Sequence, residues 1–474
     1  HPLSNYWYDV STPTFTIESM TGIDEYYYVF DQNPSTIPSS TTGTNLSSSF
    51  FLIPNVADGS YWLHLVGVDD RGVVSTNVTH YRVNIGDGFV WTNTFGGSGN
   101  DKGYDVIETS DKGFITVGST TSNIPASSST GVYIVKTDSN GTQQWANQYY
   151  STTYPNMYGY YIDQVEDGYI IIGDQTVNND SEIFMLKTNS SGNEVWRETI
   201  TRDYDQFVNS AKRTSDGNYI VCGYSTLASN NSTGYSMLAK ISDSGSLITF
   251  MNYDYGNFYD VIVEENSGGF VAIGSKEGLL RYVKTNSSLA HVQSGEVSLS
   301  GVSWSQGHGI AQTPDGGYIV GGSADISSGL NNVQFLLVKF TSGFSTEWFQ
   351  TYGSDWNDYV YSMIQTGENN FILAGKKAFS QTNDALCLLK TDSLGNQLWE
   401  KTLGESEGNS DNAYKVKQIS NGGYIVTGYN GHTDNLLDLW LLKYYAEEAP
   451  VIDRTSWYVS TSGSDASGNG SSSN

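Results

Sequence analysis

The stretch KTDSNGTQQW, Lys136 to Trp145, returns as KTNSSGNEVW at 187–196 and as KTDSLGNQLW at 390–399. Each copy follows an apolar run, and seven such runs end in lysine: Lys136, Lys187, Lys240, Lys284, Lys339, Lys390 and Lys443. The step between them averages about 51 residues, and self-similarity at a fixed period of this size marks a repeat architecture. Seven aromatic-led runs also recur, among them FITVG and YIVTG, and end at Gly118, Gly173, Gly223, Gly274, Gly322, Gly375 and Gly428. Before most of them lies a turn of the DGG type, as at 111–113 and 315–317, whose glycines supply the positive φ that tight hairpins need. A further short strand precedes each turn, for example YDVIET at 104–109.

The unit is therefore four antiparallel strands, a to d, with the lysine closing strand c and the tryptophan on strand d. Tandem four-stranded units of this length predict an all-β fold, a seven-bladed β-propeller over residues 88–446. The seventh unit stops at LLKYY without a strand d, while GFVWTNTF at 88–95 is a strand d with no a, b and c before it. Velcro closure is expected, with the Trp91 strand pairing beside LWLLKYY so that no sheet edge stays open. The fourth unit departs from the pattern, since KTNSSLAHVQSGEVSL lacks the Gly-x-x-x-Trp ending.

Composition agrees. Of 474 residues, 15% are charged and 13% aromatic, with only 9 prolines, a balance that suits strands joined by Gly and Asn turns. A formal charge of -27 removes the basic surface that nucleic acid or anionic lipid would need. No apolar run is long enough to insert in a membrane as a helix. The chain opens at His1 with no charged-then-apolar leader, so a processed N-terminus is expected. Cys222 and Cys387 lie inside apolar strands and read as core thiols.

Residues 1–87 carry YYYVFD, SSFFLIP, DGSYWLHLVGVDDRG and THYRVNI between turn signals, the pattern of a small Ig-like or fibronectin-like β-sandwich. Residues 447–474 form a linker and tail ending WYVSTSGSDASGNGSSSN, which is expected to add as a strand to another surface or to continue into a longer protein. The repeat phrases resemble those of secreted microbial cell-surface propellers, the WYVSTSGSD phrase resembles the start of a right-handed parallel β-helix, and DGSYWLHLVGVDDRG resembles sandwich modules of extracellular proteins. The resemblance implies a secreted, cell-surface protein, non-catalytic, serving as a structural or adhesive module. It implies as partners other extracellular proteins, copies of itself or glycans. Two further readings are a self-assembling subunit of a sheath, array or filament, and an accessory segment of a carbohydrate-active enzyme.

Antiparallel order puts a-b and c-d turns at one end of each blade and b-c and d-a loops at the other. The Lys-to-Trp spacing is 9 in four units, whereas the gap from the strand-b glycine to the lysine runs from 10 to 18, so binding is expected at the variable end. There Tyr150, Tyr154, Tyr158, Tyr255, Phe258, Trp304, His308, Tyr352 and Trp356 are candidates for stacking on sugar rings. Packing between blades is the ordinary alternative. Asp101, Asp105, Asp355 and Asp358 are weak candidates for Ca²⁺, although no EF-hand spacing is present, and no other cofactor is expected. The seven lysines are expected to pair with turn aspartates such as Asp111 and Asp216. No Ser/His/Asp spacing or nucleophile elbow is found.

Overall fold

A computed structural model describes residues 7–8, 13–17, 23–46, 50–56, 59–75, 77–85, 88–125, 128–151, 155–178, 180–227, 234–264, 267–326, 332–354, 356–380, 383–404, 410–431, 436–445 and 457–459. The repeats fold as seven four-stranded antiparallel sheets. Strands b and c are buried on both faces, as in Phe114–Thr120 and Gly131–Thr137, which is why they read as continuous apolar runs. Strand d alternates, as in Phe89–Phe95, because one face meets water.

The seven a strands are Asp101–Glu108, Met157–Val165, Tyr204–Arg213, Asn257–Val263, Trp304–Gln312, Tyr359–Gln365 and Asn412–Gln418. Each lies against the next, and the seventh lies against the first. The architecture is a seven-bladed β-propeller with its a strands around a central channel. The seventh sheet has the order Asn412–Gln418, Tyr424–Gly431, Leu437–Tyr444, Phe89–Phe95, so the strand that carries Trp91 closes the ring as its fourth member. Tyr445 N–H donates to Gly88 O at 2.8 Å, and Phe89 packs on Tyr444 with ring centroids 4.9 Å apart.

The quoted phrase is now explained residue by residue. Asp138 Oδ1 accepts the N–H groups of Asn140 and Thr142, both at 2.9 Å, and fixes the c-d turn. Gly192, at φ +76, takes the left-handed position of the next blade's c-d turn, and a Cβ there would sit 2.6 Å from the Trp145 ring. Gly395 meets Trp348 in the same way, at 2.8 Å. Trp145, Trp196 and Trp348 thus each cover the turn glycine of the following blade. In the fourth blade the tryptophan's place opposite Lys284 is held by Gln293. The turn of the fifth blade then carries Phe344 instead of glycine, at φ 61, stacked on Tyr282 at 3.8 Å and on Tyr318 at 4.5 Å. One blade earlier Thr249 stands opposite Lys240 and the facing turn residue is Leu289, fully buried.

Five repeated lysines reach an acid of the a-b turn: Lys136 to Asp111 at 2.9 Å, Lys187 to Asp167, Lys240 to Asp216 at 2.7 Å, Lys284 to Glu264 at 2.6 Å and Lys339 to Asp315 at 2.8 Å. Burial works to raise the Asp111 carboxyl, but bonds from Lys136, Thr109 and the Gly113 N–H outweigh it and hold the group down at about 2.

The chain divides into two compact units, residues 1–91 with 443–474, and residues 92–442. The first contains a β-sandwich. One sheet has the order Trp7–Tyr8, Thr79–Ile85, Gly59–Val68, Glu25–Asp31, Thr44–Leu46, and the other Trp457–Val459, Thr14–Ile17, Phe50–Leu52. Phe15 and Ile17 of one meet Leu63, Leu65, Val83 and Ile85 of the other in a common core. The tail segment Trp457–Val459 does add as a strand, parallel to Thr14–Ile17.

Candidate functional site in the central channel

Every a strand contains one β-bulge opposite the repeated strand-b glycine. In the first blade Val117 pairs with Asp105 and Gly118 with Gly103, leaving Tyr104 without a partner residue. The same offset leaves Tyr160, Asn209, Tyr259, His308, Tyr361 and Tyr414 as the extra residues of the other six blades. A bulge bends its strand toward its partner and re-aims the extra side chain. The carbonyl two residues before each bulge is driven against strand b. A Cβ at Gly118 would overlap Lys102 O, and one at Gly274 would overlap Asn257 O. This is the physical reason for the seven glycines.

Six of the seven bulged residues are aromatic and touch in series. Tyr160 packs on Tyr104 at 5.0 Å, Tyr104 on Tyr414 at 5.2 Å, Tyr414 on Tyr361 at 5.3 Å, Tyr361 on His308 at 5.8 Å and His308 on Tyr259 at 4.3 Å. They form a collar around the channel. Burial pushes the Tyr104 phenol up to about 12 and the Tyr361 and Tyr414 phenols higher still, so these remain neutral donors.

On the a-b turn side of the collar lies a cavity of about 490 Å³, walled by Lys212, Asp260, His308, Ser362, Lys415 and Lys417 among others. Lys417 Nζ is 2.8 Å from Asp105 Oδ1, and Lys212 Nζ is 3.9 Å from Asp260 Oδ1. Asp163 is met by Arg213 at 3.5 Å and by the Tyr219 hydroxyl at 3.1 Å. Burial would raise the Asp260 carboxyl, but Lys212 and Lys415 hold it below its ordinary value. Burial pulls the Lys417 ammonium down against the attraction of Asp105. His308 keeps some surface open to the channel, yet its depth pushes the imidazole down to about 4, and its Nε2 has no hydrogen-bond partner. Such a set can hold an anion or a hydroxyl-bearing ring. The two thiols lie elsewhere, fully buried, with burial raising both well above the usual thiol value.

The residues expected to stack on sugars are not brought together. Phe258 is fully buried in a core cluster with Val261 and Phe270, because it is the residue just before a bulge and faces the blade interior. Tyr352 donates to Gly395 O at 2.5 Å, as Tyr253 does to Leu289 O at 2.7 Å and Tyr149 to Gly192 O. These hydroxyls clip one blade to the c-d turn of the next. Tyr158 lies in an a strand, stacked on Tyr160 at 6.1 Å. Trp304 opens another a strand beside Gly278. His308 belongs to the collar and not to a loop. Tyr150, Tyr255 and Trp356 are the exposed ones, at 41%, 40% and 41%, on the first, third and fifth blades. Tyr154 lies outside the described residues.

Of the Ca²⁺ candidates, Asp101, Asp105 and Asp358 each already make protein contacts, while Asp101 Oδ1 is left without a hydrogen-bond partner. Asp101 Oδ2 accepts from Gly97 N at 2.9 Å and from Ser122 Oγ at 2.7 Å. Asp358 accepts from Ser354 N and Ala378 N, both at 2.8 Å, and Asp105 pairs with Lys417. Asp355 lies outside the described residues. Among the described residues no cluster of three or more His, Cys, Asp and Glu could hold a metal ion.

Tyr104, Tyr160, Tyr259, Tyr361, Tyr414 and Lys415 were not anticipated as site residues. A usable signal existed: in five units the bulged residue stands 14 positions before the strand-b glycine.

No protein-family model and no curated protein sequence matches the chain. Solved structures do. Sqt1 from Chaetomium thermophilum is 11% identical over 76% of this chain and 100% of that one, with a TM-score of 0.43. A protein from Lactobacillus plantarum is 11% identical over 74% and 94%, with a TM-score of 0.46. A puromycin hydrolase mutant complexed with PGG is 10% identical over 79% and 57%, with a TM-score of 0.44. Likeness at this level carries nothing about activity.

Proposed function

We propose that this chain is a non-catalytic extracellular module, a structural or adhesive protein of a cell surface that binds its partner through the propeller. One observation carries the reading. The repeated Gly, Lys and Trp, and the strand-d tyrosines, are engaged within or between blades, whereas the polar residues that differ from blade to blade gather on the channel wall. Uniform turns build a scaffold and unrepeated groups give it specificity. The sandwich, of the immunoglobulin or fibronectin type in this reading, is a spacer or stacking module. Antibody labelling of intact, unpermeabilised source cells tests the location, and labelling only after permeabilisation defeats it. Steady turnover of glycosidic or ester substrates by the purified chain defeats the non-catalytic assignment.

A second reading, self-assembly, is favoured by the parallel addition of Trp457–Val459 to the edge of Thr14–Ile17. An edge filled by so distant a segment can equally take that segment from another copy. Light scattering decides: a strict monomer at high concentration counts against it.

A further inference from the structure

We propose that the channel cavity below the tyrosine collar binds a small monocarboxylate borne on a hydroxylated ring, a sugar acid, with Lys415 as its charge partner and His308 as a second donor. The proposal rests on the binding-module reading and names the ligand class of that site.

The charge count comes first. The groups facing this half of the channel are Asp105, Asp163, Asp260, Lys212, Lys415 and Lys417, with Arg213 at its edge. Lys417 pairs with Asp105, Lys212 lies against Asp260, and Arg213 meets Asp163. Among the described residues Lys415 makes no ion pair within 4.0 Å, and the opposed charge that it acts on is that of Asp260, which it shares with Lys212. Two ammonium groups that share one carboxylate in a recess leave a positive surplus, which a ligand anion offsets. A surplus of one positive charge suits a monoanion, while a dianion would have to break an existing pair. This positive surplus sits inside a chain whose net charge is -27, so the cavity is a local exception to a surface that repels anions.

Shape and polarity narrow the class. His308, whose Nε2 is buried and has no hydrogen-bond partner, lines the same cavity as Lys415. Because the imidazole is neutral at pH 7, one of its nitrogens carries a proton to donate. His308 is itself packed between Tyr259 and Tyr361 of the collar, so a ring bound beneath it would meet an aromatic roof. A cavity of about 490 Å³ falls in the range that encloses a monosaccharide.

Calorimetric titration with glucuronate, glucose and inorganic phosphate is the test. Glucuronate is expected to bind at least about tenfold more tightly than glucose or phosphate, the weight of one charge-assisted contact. Lys415→Met is expected to lose that tenfold preference, and Lys415→Arg to keep most of it. Asp260→Asn, which removes the facing negative charge and keeps an acceptor for Ser210, is expected to tighten glucuronate binding several-fold. That gain cannot come from misfolding. Equal binding of glucose and glucuronate, tighter binding of phosphate, or indifference to Lys415→Met at an unchanged melting temperature would overturn the proposal. If a neutral glycan binds instead and Tyr361→Ala abolishes it, this site assignment fails while the binding-module reading survives. If glucuronate binds and is chemically converted, the site stands and the non-catalytic reading fails.

Discussion

Between the first and second blades the large side chain comes from strand d, Trp145, and the turn that faces it is Gly192. Between the fourth and fifth blades strand d supplies Gln293 and the turn supplies Phe344. The same gap is filled from opposite sides. Phe344 adopts a left-handed φ of 61, which costs a non-glycine residue about 1–2 kcal/mol. Burying its ring returns about 2–3 kcal/mol, so the exchange is affordable only because no tryptophan competes for the space. What the repeat preserves is therefore filled volume, and residue identity follows from it.

The harshest way to break the interfaces is to touch what no blade exchanges. All seven strand-b glycines face a carbonyl of the bulged strand, and Gly274→Ala would drive a methyl into Asn257 O. Relief requires moving two paired strands, so a loss above about 4 kcal/mol is expected. The control is Gly316→Ala, at φ +81 with nothing within 4 Å of a Cβ, which should cost only about 1–2 kcal/mol for the left-handed backbone. Urea unfolding of both variants checks this, and equal losses would show that the bulge does not dictate glycine.

Next in size is the exchange itself. Phe344→Gly empties the space between Tyr282 and Tyr318 and should cost about 2–4 kcal/mol, less the backbone relief. Adding Gln293→Trp should recover part of it, because the pair then matches Trp145 and Gly192. A double-mutant cycle with no coupling would sink the idea that the two positions share one volume.

This contrast also explains how much the chain disclosed by itself. The blade count and the closing strand were legible because Lys136 and its relatives, the seven glycines and the truncated LLKYY recur at one period. The fourth unit looked irregular because its missing tryptophan is compensated by a residue 51 positions away in another blade, Phe344 for Gln293. The collar was hidden for a related reason: a bulge shifts the side-chain alternation by one, so Tyr104 or Tyr414 cannot be assigned to the channel from period alone. His308 attracted attention on chemical grounds, yet was placed on a loop because the a strand that carries it begins at Trp304 with small, polar residues.

A third variant tests positions that the repeat leaves unrepeated. Asp174, just after Gly173, is buried, and burial raises its carboxyl to about 7 while the Val208 N–H donates to it at 3.0 Å. Its ordinary value is 3.8, so the folded state holds the proton more tightly than the unfolded chain. The contribution of Asp174 to stability is then most favourable below pH 4, falls as the pH climbs toward 7, and levels off above it. Asp174→Asn keeps an acceptor for Val208 and removes the charge. At pH 8 it should be about 2 kcal/mol more stable than the parent, with no gain at pH 4.

The smallest effect belongs to the most conspicuous repeat, the lysine and turn acid. The bond from Lys240 and that from Thr214 hold the Asp216 carboxyl well below the ordinary 3.8, and Asp315 is held down by Lys339 and Thr313 in the same manner. A depressed carboxyl stabilises the fold above its unfolded value and loses that contribution as the pH falls through its folded value. For Asp111 the window runs from about 4 down to about 2. The acids are half exposed, with Asp111 at 53% and Asp216 at 49% of their side-chain surface, so water screens each pair. Asp111→Asn should cost less than about 1 kcal/mol at pH 7 and nothing at pH 2. A loss that persisted at pH 2 would mean that the Asp111 bonds to Thr109 and Gly113, at 2.5 and 3.0 Å, set the turn, and that the lysine serves mainly to fill the strand end with its buried stem.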